Sequence, residues 1–340
     1  MTEPVPAQSD IDRAVSILKA GGLVAFPTET VYGLGADARS SEAVLKIFAA
    51  KGRPPTNPLI VHVSGVAMAK LYAMEWPDTA RRLAQKYWPG PLTLVLPRYR
   101  TIAPEVSAGL DTVGLRMPNH PLALELIQRF DGPIAAPSAN RSNHLSPTTA
   151  EHVREELGDA VDLILDGGPC RVGIESTVLD LTGNRPMILR PGGVTRAQIE
   201  KIVGPIDAKD VVTEVTTPAS SPGQHETHYS PRAPAYRFMR DQLEVVLRDA
   251  NDPAKAPAAI LFFGKVPESA QQTKLNGVSH SSTSPRMYAR QIYGMLRDLD
   301  QCNPDRIFVE MPPDEPDWVA VRDRLTRATQ PLSRLGREAT

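Results

Sequence analysis

Between residues 9 and 204 the chain alternates between segments of helical period and short apolar runs. That alternation is the strongest constraint on its fold. Strands and helices that take turns bury their apolar faces most readily as a sheet with helices packed on it. Ile11, Ala14, Val15 and Leu18 recur at helical spacing behind a candidate cap at Ser9 with Asp12, and Gly21-Gly22 ends the run. An apolar run over 23–26 stops at Pro27 and opens on the polar loop Thr28-Glu29-Thr30. The same reading predicts helices over 41–51, 78–88 and near 120–130, with strands over 59–63, 92–96, 112–116 and 133–136. Thr148 with Glu151 reads as the capping box of a helix ending at Gly158. Strands follow over 162–165, 176–181 and 187–190, and Thr195 with Gln198 opens a helix over 196–203. The expected class is α/β, a mixed sheet flanked by helices, without an internal repeat.

At 340 residues the chain has room for two domains. Residues 205–235 hold five prolines and little periodicity, the mark of an extended linker. Beyond it, a strand over 259–263, a helix with Tyr288, Ile292, Met295, Leu296 and Leu299 on one face, a strand over 307–309 and a helix over 317–329 form a second, smaller α/β unit. The boundaries read as 9–204, 205–235 and 236–340.

The net charge of −1 excludes the basic excess on which stable nucleic-acid binding usually rests. The two cysteines, Cys170 and Cys302, have no metal-ligand spacing and fit a reducing compartment. No apolar run reaches the ~18 residues of a membrane span, and the N-terminus has no secretory pattern, so a soluble cytoplasmic protein is expected. There is no P-loop, no G-x-G-x-x-G, no H-E-x-x-H and no G-x-S-x-G.

What remains is a set of polar groups at strand ends, where α/β sheets place their ligands. In Lys51-Gly52-Arg53-Pro54-Pro55-Thr56-Asn57-Pro58, two cations on a proline-stiffened loop suit a polyphosphate, though a solvated loop would read the same way. Pro137-Ser138-Ala139-Asn140, directly after a strand, is either a ligand loop or ordinary turn chemistry. Arg116 at the end of Gly114-Leu115-Arg116 either clamps a carboxylate or pairs with an internal acid. His62 within its apolar run is a site residue or a core histidine. Ser176-Thr177, and Arg190 before Pro191-Gly192-Gly193, repeat the pattern. Together these groups suit a small zwitterion and a nucleotide.

These residues, with Pro27-Thr28-Glu29-Thr30-Val31-Tyr32-Gly33-Leu34, Trp88-Pro89-Gly90-Pro91-Leu92-Thr93 and Gly173-Ile174-Glu175-Ser176-Thr177-Val178, resemble the YrdC-like domain. The chain is similar to long-form threonylcarbamoyl-AMP synthases, densely over 9–204 and more weakly over 284–329. The resemblance implies a YrdC-like twisted mixed sheet and a smaller Rossmann-like companion domain. It implies a nucleotidyltransferase that condenses L-threonine, bicarbonate and ATP to threonylcarbamoyl-AMP and pyrophosphate. The product would serve the machinery that makes threonylcarbamoyladenosine next to the anticodon of tRNA. By resemblance Thr30, His62, Arg116, the Ala136 backbone and Ser176 hold threonine. Lys51, Arg53, Asn57, Thr112, Ser138, Asn140, Ser146, Arg190 and Tyr229 hold ATP, with Lys51, Arg53, Ser138 and Asn140 carrying the catalysis. Magnesium is expected through phosphates and water, without a protein metal motif. In the linker, Glu226 and Thr227 stand where the family has basic and aromatic residues before the His228-Tyr229 pair. This segment is expected to lie over the nucleotide as a lid ordered by the second domain. The competing reading is an RNA-binding or ribosome-assembly module without turnover. Carbamoyl transfer for metallocentre maturation would require acylphosphatase-like and zinc-finger-like segments that the sequence lacks.

Overall fold

The structure is a computed structural model describing residues 8–208, 229–271 and 273–336. The described residues fall into two units, one of residues 8–142 and 146–208, the other of 143–145 and 229–336 without 272. The first begins with α1 (Gln8–Lys19), β1 (Val24–Phe26), β2 (Gly33–Asp37), α2 (Ser41–Lys51), β3 (Ile60–His62), α3 (Val66–Lys70) and α4 (Asp78–Tyr87). It continues through β4 (Leu92–Pro97), β5 (Thr112–Arg116), α5 (Pro121–Phe130), β6 (Ile134–Ala135), α6 (Ala150–Leu157), β7 (Leu163–Ile164), β8 (Thr177–Asp180), β9 (Met187–Arg190), α7 (Arg196–Val203) and β10 (Asp207–Ala208). The strands form one sheet in the order β10-β9-β8-β4-β5-β3-β6-β2-β1-β7, with parallel and antiparallel neighbours mixed.

Strand alternation divides the core between the two faces. Val61, Leu94, Leu115 and Leu179 pack with residues of α2, α4, α6 and α7 on one face. On the other face, β1 and β6 are covered by α1 and α5 through Phe26, Ile134, Leu18, Leu126 and Phe130. Farther along that second face the buried cluster is Ile60, Val95, Val178 and Leu189, all from strands.

Local signals explain most element ends. Ser40 caps α2 by accepting the Ala43 N–H, and Gly52 closes the same helix at φ 59°. The predicted capping box of α7 is present at Thr195 and Gln198. Two caps differ from expectation. Helix α6 is capped by Thr149, whose extended backbone aims its hydroxyl at the His152 N–H, whereas the Thr148 hydroxyl lies against the His152 ring. Helix α1 already includes Gln8, so Ser9 lies inside it. Strand β2, rich in Gly and Ala, carries little strand propensity; its pairing with β1 and β6 defines it. The first residues of the expected linker add β10 to the sheet edge beside β9. Residues 209–228, which hold most of that linker, lie outside the described residues.

The second unit contains β11 (Ala235–Phe238), α8 (Leu243–Ala250), β12 (Ala259–Phe262), β13 (Gly277–His280), α9 (Pro285–Gln301), β14 (Ile307–Glu310), α10 (Val319–Ala328) and β15 (Gln330–Pro331). Its sheet, β13-β12-β14-β11-β15, is parallel throughout. Phe238, Ile260, Phe262 and Phe308 pack on Val246 and Ala250 of α8. Arg306 is buried and paired with Asp249 at 2.6 Å.

Candidate functional site

The strand face left without a helix in its buried cluster is where the polar groups collect. Ile60 and His62 alternate with core-facing Val61, and Gly114 and Arg116 with core-facing Leu115. Thr93 and Val95 likewise alternate with Leu94. A small cavity is lined by Ile60, Thr93, Val95, Thr112, Gly114 and Val178. Gly114 keeps it open, since a Cβ there would stand 3.1 Å from Thr93 Cγ2.

Arg116 and His62 are register partners at the ends of β5 and β3. Arg116 is buried. Its Nε donates to Gly90 O at 3.3 Å, and Nη2 meets Glu29 Oε1 at 2.8 Å as an ion pair without hydrogen-bond alignment. The internal acid considered from sequence is therefore Glu29, whose other oxygen accepts the Asn119 N–H at 2.9 Å. Among the described residues, Nη1 of Arg116 has no hydrogen-bond partner. His62 lies edge-on to Phe26 with ring centroids 5.9 Å apart. Burial, reinforced by Arg116, pushes its pKa down to about 3, so the imidazole is neutral at physiological pH.

This depressed pKa has a consequence for stability. Between about pH 6.5, the value for a free histidine, and about pH 3, the unfolded chain binds a proton at His62 that the native chain excludes. Native stability from this residue is full above pH 6.5 and declines as pH falls towards 3. Urea titrations across that range should show a shallower decline for His62→Gln than for the wild type. Parallel curves would mean that His62 is protonated in the native state.

Three further buried cations are held in the same unit. Lys51, at the C-terminus of α2, is buried with Nζ donating to Ser138 O at 2.6 Å and to Asn140 O. Burial, and Arg53 beside it, pull its pKa well below the ordinary lysine value. Arg53 folds onto its own loop, Nε to Asn57 O at 3.1 Å and Nη2 to Pro58 O at 2.9 Å, while Asn57 Oδ1 is buried without a hydrogen-bond partner among the described residues. Arg190 donates to Ser176 O at 3.0 and 3.2 Å and to Ser176 Oγ at 3.3 Å, and Thr93 Oγ1 lies 2.8 Å from the same hydroxyl. Gly192 permits this arrangement. A Cβ there would sit 2.4 Å from Thr177 N and 2.5 Å from Glu175 O.

The remaining sequence candidates take these places. Thr30 is fully buried with its hydroxyl 2.8 Å from that of Thr28. The Ala136 N–H is taken by Ile60 O at 2.9 Å. Ser138 bridges Gly33, and Asn140 Nδ2 donates to Arg141 O. Thr112 opens β5 beside the cavity, and Ser146 donates to Glu175 Oε1 at 2.6 Å. All of these belong to the first unit. Tyr229 belongs to the second, where its ring lies 5.8 Å from that of Tyr293 with the Arg324 guanidinium 5.1 Å above it.

Sequence reasoning missed Glu29, Thr93 and Glu175 as members of this network. Each left a signal. Glu29 sits in the polar loop after β1, Thr93 is the one polar residue of β4, and Glu175 precedes Ser176. Among the described residues there is no group of three or more His, Cys, Asp or Glu placed to hold a metal, and no helix long and apolar enough to cross a membrane.

Comparison with known proteins extends over both units. Residues 16–192 match the Sua5/YciO/YrdC family model, described as telomere recombination, and residues 194–330 match the threonylcarbamoyl-AMP synthase C-terminal domain. The chain is 40% identical over 322 residues to the threonylcarbamoyl-AMP synthase of Bacillus subtilis, covering 94% of this chain and 92% of that one. It is also 40% identical to the synthase of Pyrococcus abyssi, covering 93% of each. The crystal structure of P. abyssi Sua5 complexed with L-threonine superposes with a TM-score of 0.88 at 38% identity, over 96% of both chains.

Proposed function

We propose a reaction from one premise: the chain belongs to the Sua5/YciO/YrdC family and carries that family's threonylcarbamoyl-AMP synthase C-terminal domain. The protein is an L-threonylcarbamoyladenylate synthase, a nucleotidyltransferase that joins L-threonine, bicarbonate or CO₂, and ATP. The threonine ammonium gives up one proton to solvent, its amine nitrogen bonds to the carbon of CO₂ and releases a second proton, and a carbamate results. A carbamate oxygen then attacks the α-phosphorus of ATP, the α–β phosphoanhydride bond breaks, and pyrophosphate leaves. The threonylcarbamoyl-AMP passes in the cytoplasm to the enzymes that modify tRNA next to the anticodon.

The observation that carries this reading is that Lys51, Arg53, Arg116 and Arg190 are all buried, with Arg190 and Thr93 both meeting the Ser176 hydroxyl beside the cavity that Thr93 lines. Adenylyl transfer depends on position and on stabilising charge at phosphorus, and fixed buried cations supply both. Arg116 takes the threonine carboxylate on its open Nη1 edge. Neutral His62, Thr30, Ser176 and the Ala136 carbonyl meet the rest of the amino acid. Lys51 has one N–H beyond the two that hold Ser138 O and Asn140 O, and it directs that donor at the phosphates. Arg53, Asn57, Thr112, Ser138, Asn140, Ser146 and Arg190 complete the ATP contacts. Magnesium enters as MgATP, held by phosphate oxygens and water, since Glu29 and Glu175 already meet Arg116 and Ser146.

Pyrophosphate release from MgATP, with threonine and bicarbonate omitted in turn, tests the reaction. Release should require both. Release without threonine would identify another acceptor. Absence of turnover, together with salt-dependent RNA binding, would move the protein to the binding class.

A further inference from the structure

We infer that Glu29 receives the ammonium of the amino-acid substrate, so that Glu29 and Arg116 form a zwitterion receptor whose halves neutralise each other until the substrate arrives. This rests on threonine being the substrate.

The argument begins with an incomplete pair. Glu29 and Arg116 are 3% and 4% exposed, and buried charges ordinarily carry aligned hydrogen bonds on every available atom. Here they do not. Glu29 Oε2 accepts the Asn119 N–H, but Oε1 accepts no aligned bond although Arg116 Nη2 stands 2.8 Å away. The contact neutralises charge without using the directional capacity of either group. An α-amino acid offers the complement, a carboxylate and an ammonium on the same carbon. A carboxylate seated on the Arg116 fork brings its ammonium to the neighbours of Arg116, and Glu29 is the carboxylate in contact with it.

Thr30 adds an independent sign. The Thr28 hydroxyl donates its single proton to Val31 O at 2.7 Å. In the 2.8 Å contact between Thr28 and Thr30 the donor is therefore Thr30. Thr30 Oγ1 is left with lone pairs alone, suited to an N–H donor. The other carboxylate of the site, Glu175, already accepts the Ser146 hydroxyl. The loop after β1 thus offers two acceptors, one anionic, next to the cation that takes the carboxylate.

Exchange of the internal pair for two pairs with a zwitterion leaves no buried charge alone. A ligand with the carboxylate but no ammonium occupies Arg116 and strands Glu29, so the receptor discriminates through the charge it leaves unpaired.

Calorimetric titration of the full-length protein with L-threonine and with 2,3-dihydroxybutanoate, in which a hydroxyl replaces the ammonium, tests this. The wild type should prefer threonine by about 100-fold or more. Glu29→Gln should lose at least about tenfold in threonine affinity and bind the dihydroxy acid no more weakly than the wild type does. Unchanged threonine affinity in Glu29→Gln would overturn the assignment. So would an equal loss of both ligands, which would make Glu29 a prop for Arg116. If that variant does not fold, the wild-type ratio decides, and equal binding of the two ligands overturns the inference. Failure of the wild type to bind threonine at all would instead sink the substrate reading on which this rests.

Discussion

Replacing Arg116 with alanine is expected to raise the threonine concentration for half-maximal pyrophosphate release by more than about 30-fold, the equivalent of ~2 kcal/mol for a lost charged clamp. It is also expected to destabilise the fold by about 3–5 kcal/mol, because removing one member of a buried ion pair strands the other. Glu29 would then lie buried with the Asn119 N–H as its one remaining partner among the described residues. The two effects separate in a double mutant. Arg116→Ala with Glu29→Ala should regain much of the stability, measured by urea denaturation, and none of the threonine affinity. Arg116→Lys should restore charge but not the fork, and so recover stability more than affinity. A threonine KM within about threefold of wild type in Arg116→Ala, under 1 kcal/mol, would remove this residue from the carboxylate role.

Lys51→Met should lower kcat by about 10²–10³-fold, the range for loss of one preorganised charge-stabilising donor. The substitution keeps the apolar stem packed at the end of α2 and deletes the ammonium. Ser138 O and Asn140 O then lose their shared donor, and the loop after β6 loses its anchor to the helix. Threonine binding without ATP should change little, so steady-state kinetics and threonine calorimetry together distinguish a phosphate role from general damage. Lys51→Arg should not rescue turnover, because a single nitrogen between two carbonyls has no room for a planar guanidinium. A kcat within about threefold of wild type in Lys51→Met would refute the role, since that is under 1 kcal/mol of barrier.

The long helices were legible because their apolar faces repeat at helical spacing. Strands β1, β3, β4 and β5 were legible because they are short apolar runs bounded by turn residues. Strand β2 was not, since Gly33, Gly35 and Ala36 carry no strand signal and their pairing partners lie elsewhere in the chain. The cap of α6 was off by one because Thr148 and Thr149 are equivalent in composition. Only the backbone angle at 149 selects which hydroxyl faces the helix.

At the site the division is similar. Arg116, His62, Ser138 and Ser176 stand out in the sequence as polar groups on or just beyond strands, and Lys51 as a cation on a proline-stiffened loop, and their local order carried the family resemblance. Whether each is held, and by what, was decided in three dimensions. Lys51 reaches carbonyls 87 and 89 positions away, Thr93 reaches Ser176 across 83, and Arg116 closes on Glu29 from the far side of four strands' worth of chain. The α/β alternation, the polar strand ends and the kind of ligand they suit are written in the order of residues along the chain. These are local matters, set by the period of apolar residues and the chemistry of single side chains. Packing in three dimensions set Glu29 as the acid beside Arg116 and His62 as its register partner. Those follow from strand order and register, which are settled when distant segments pack.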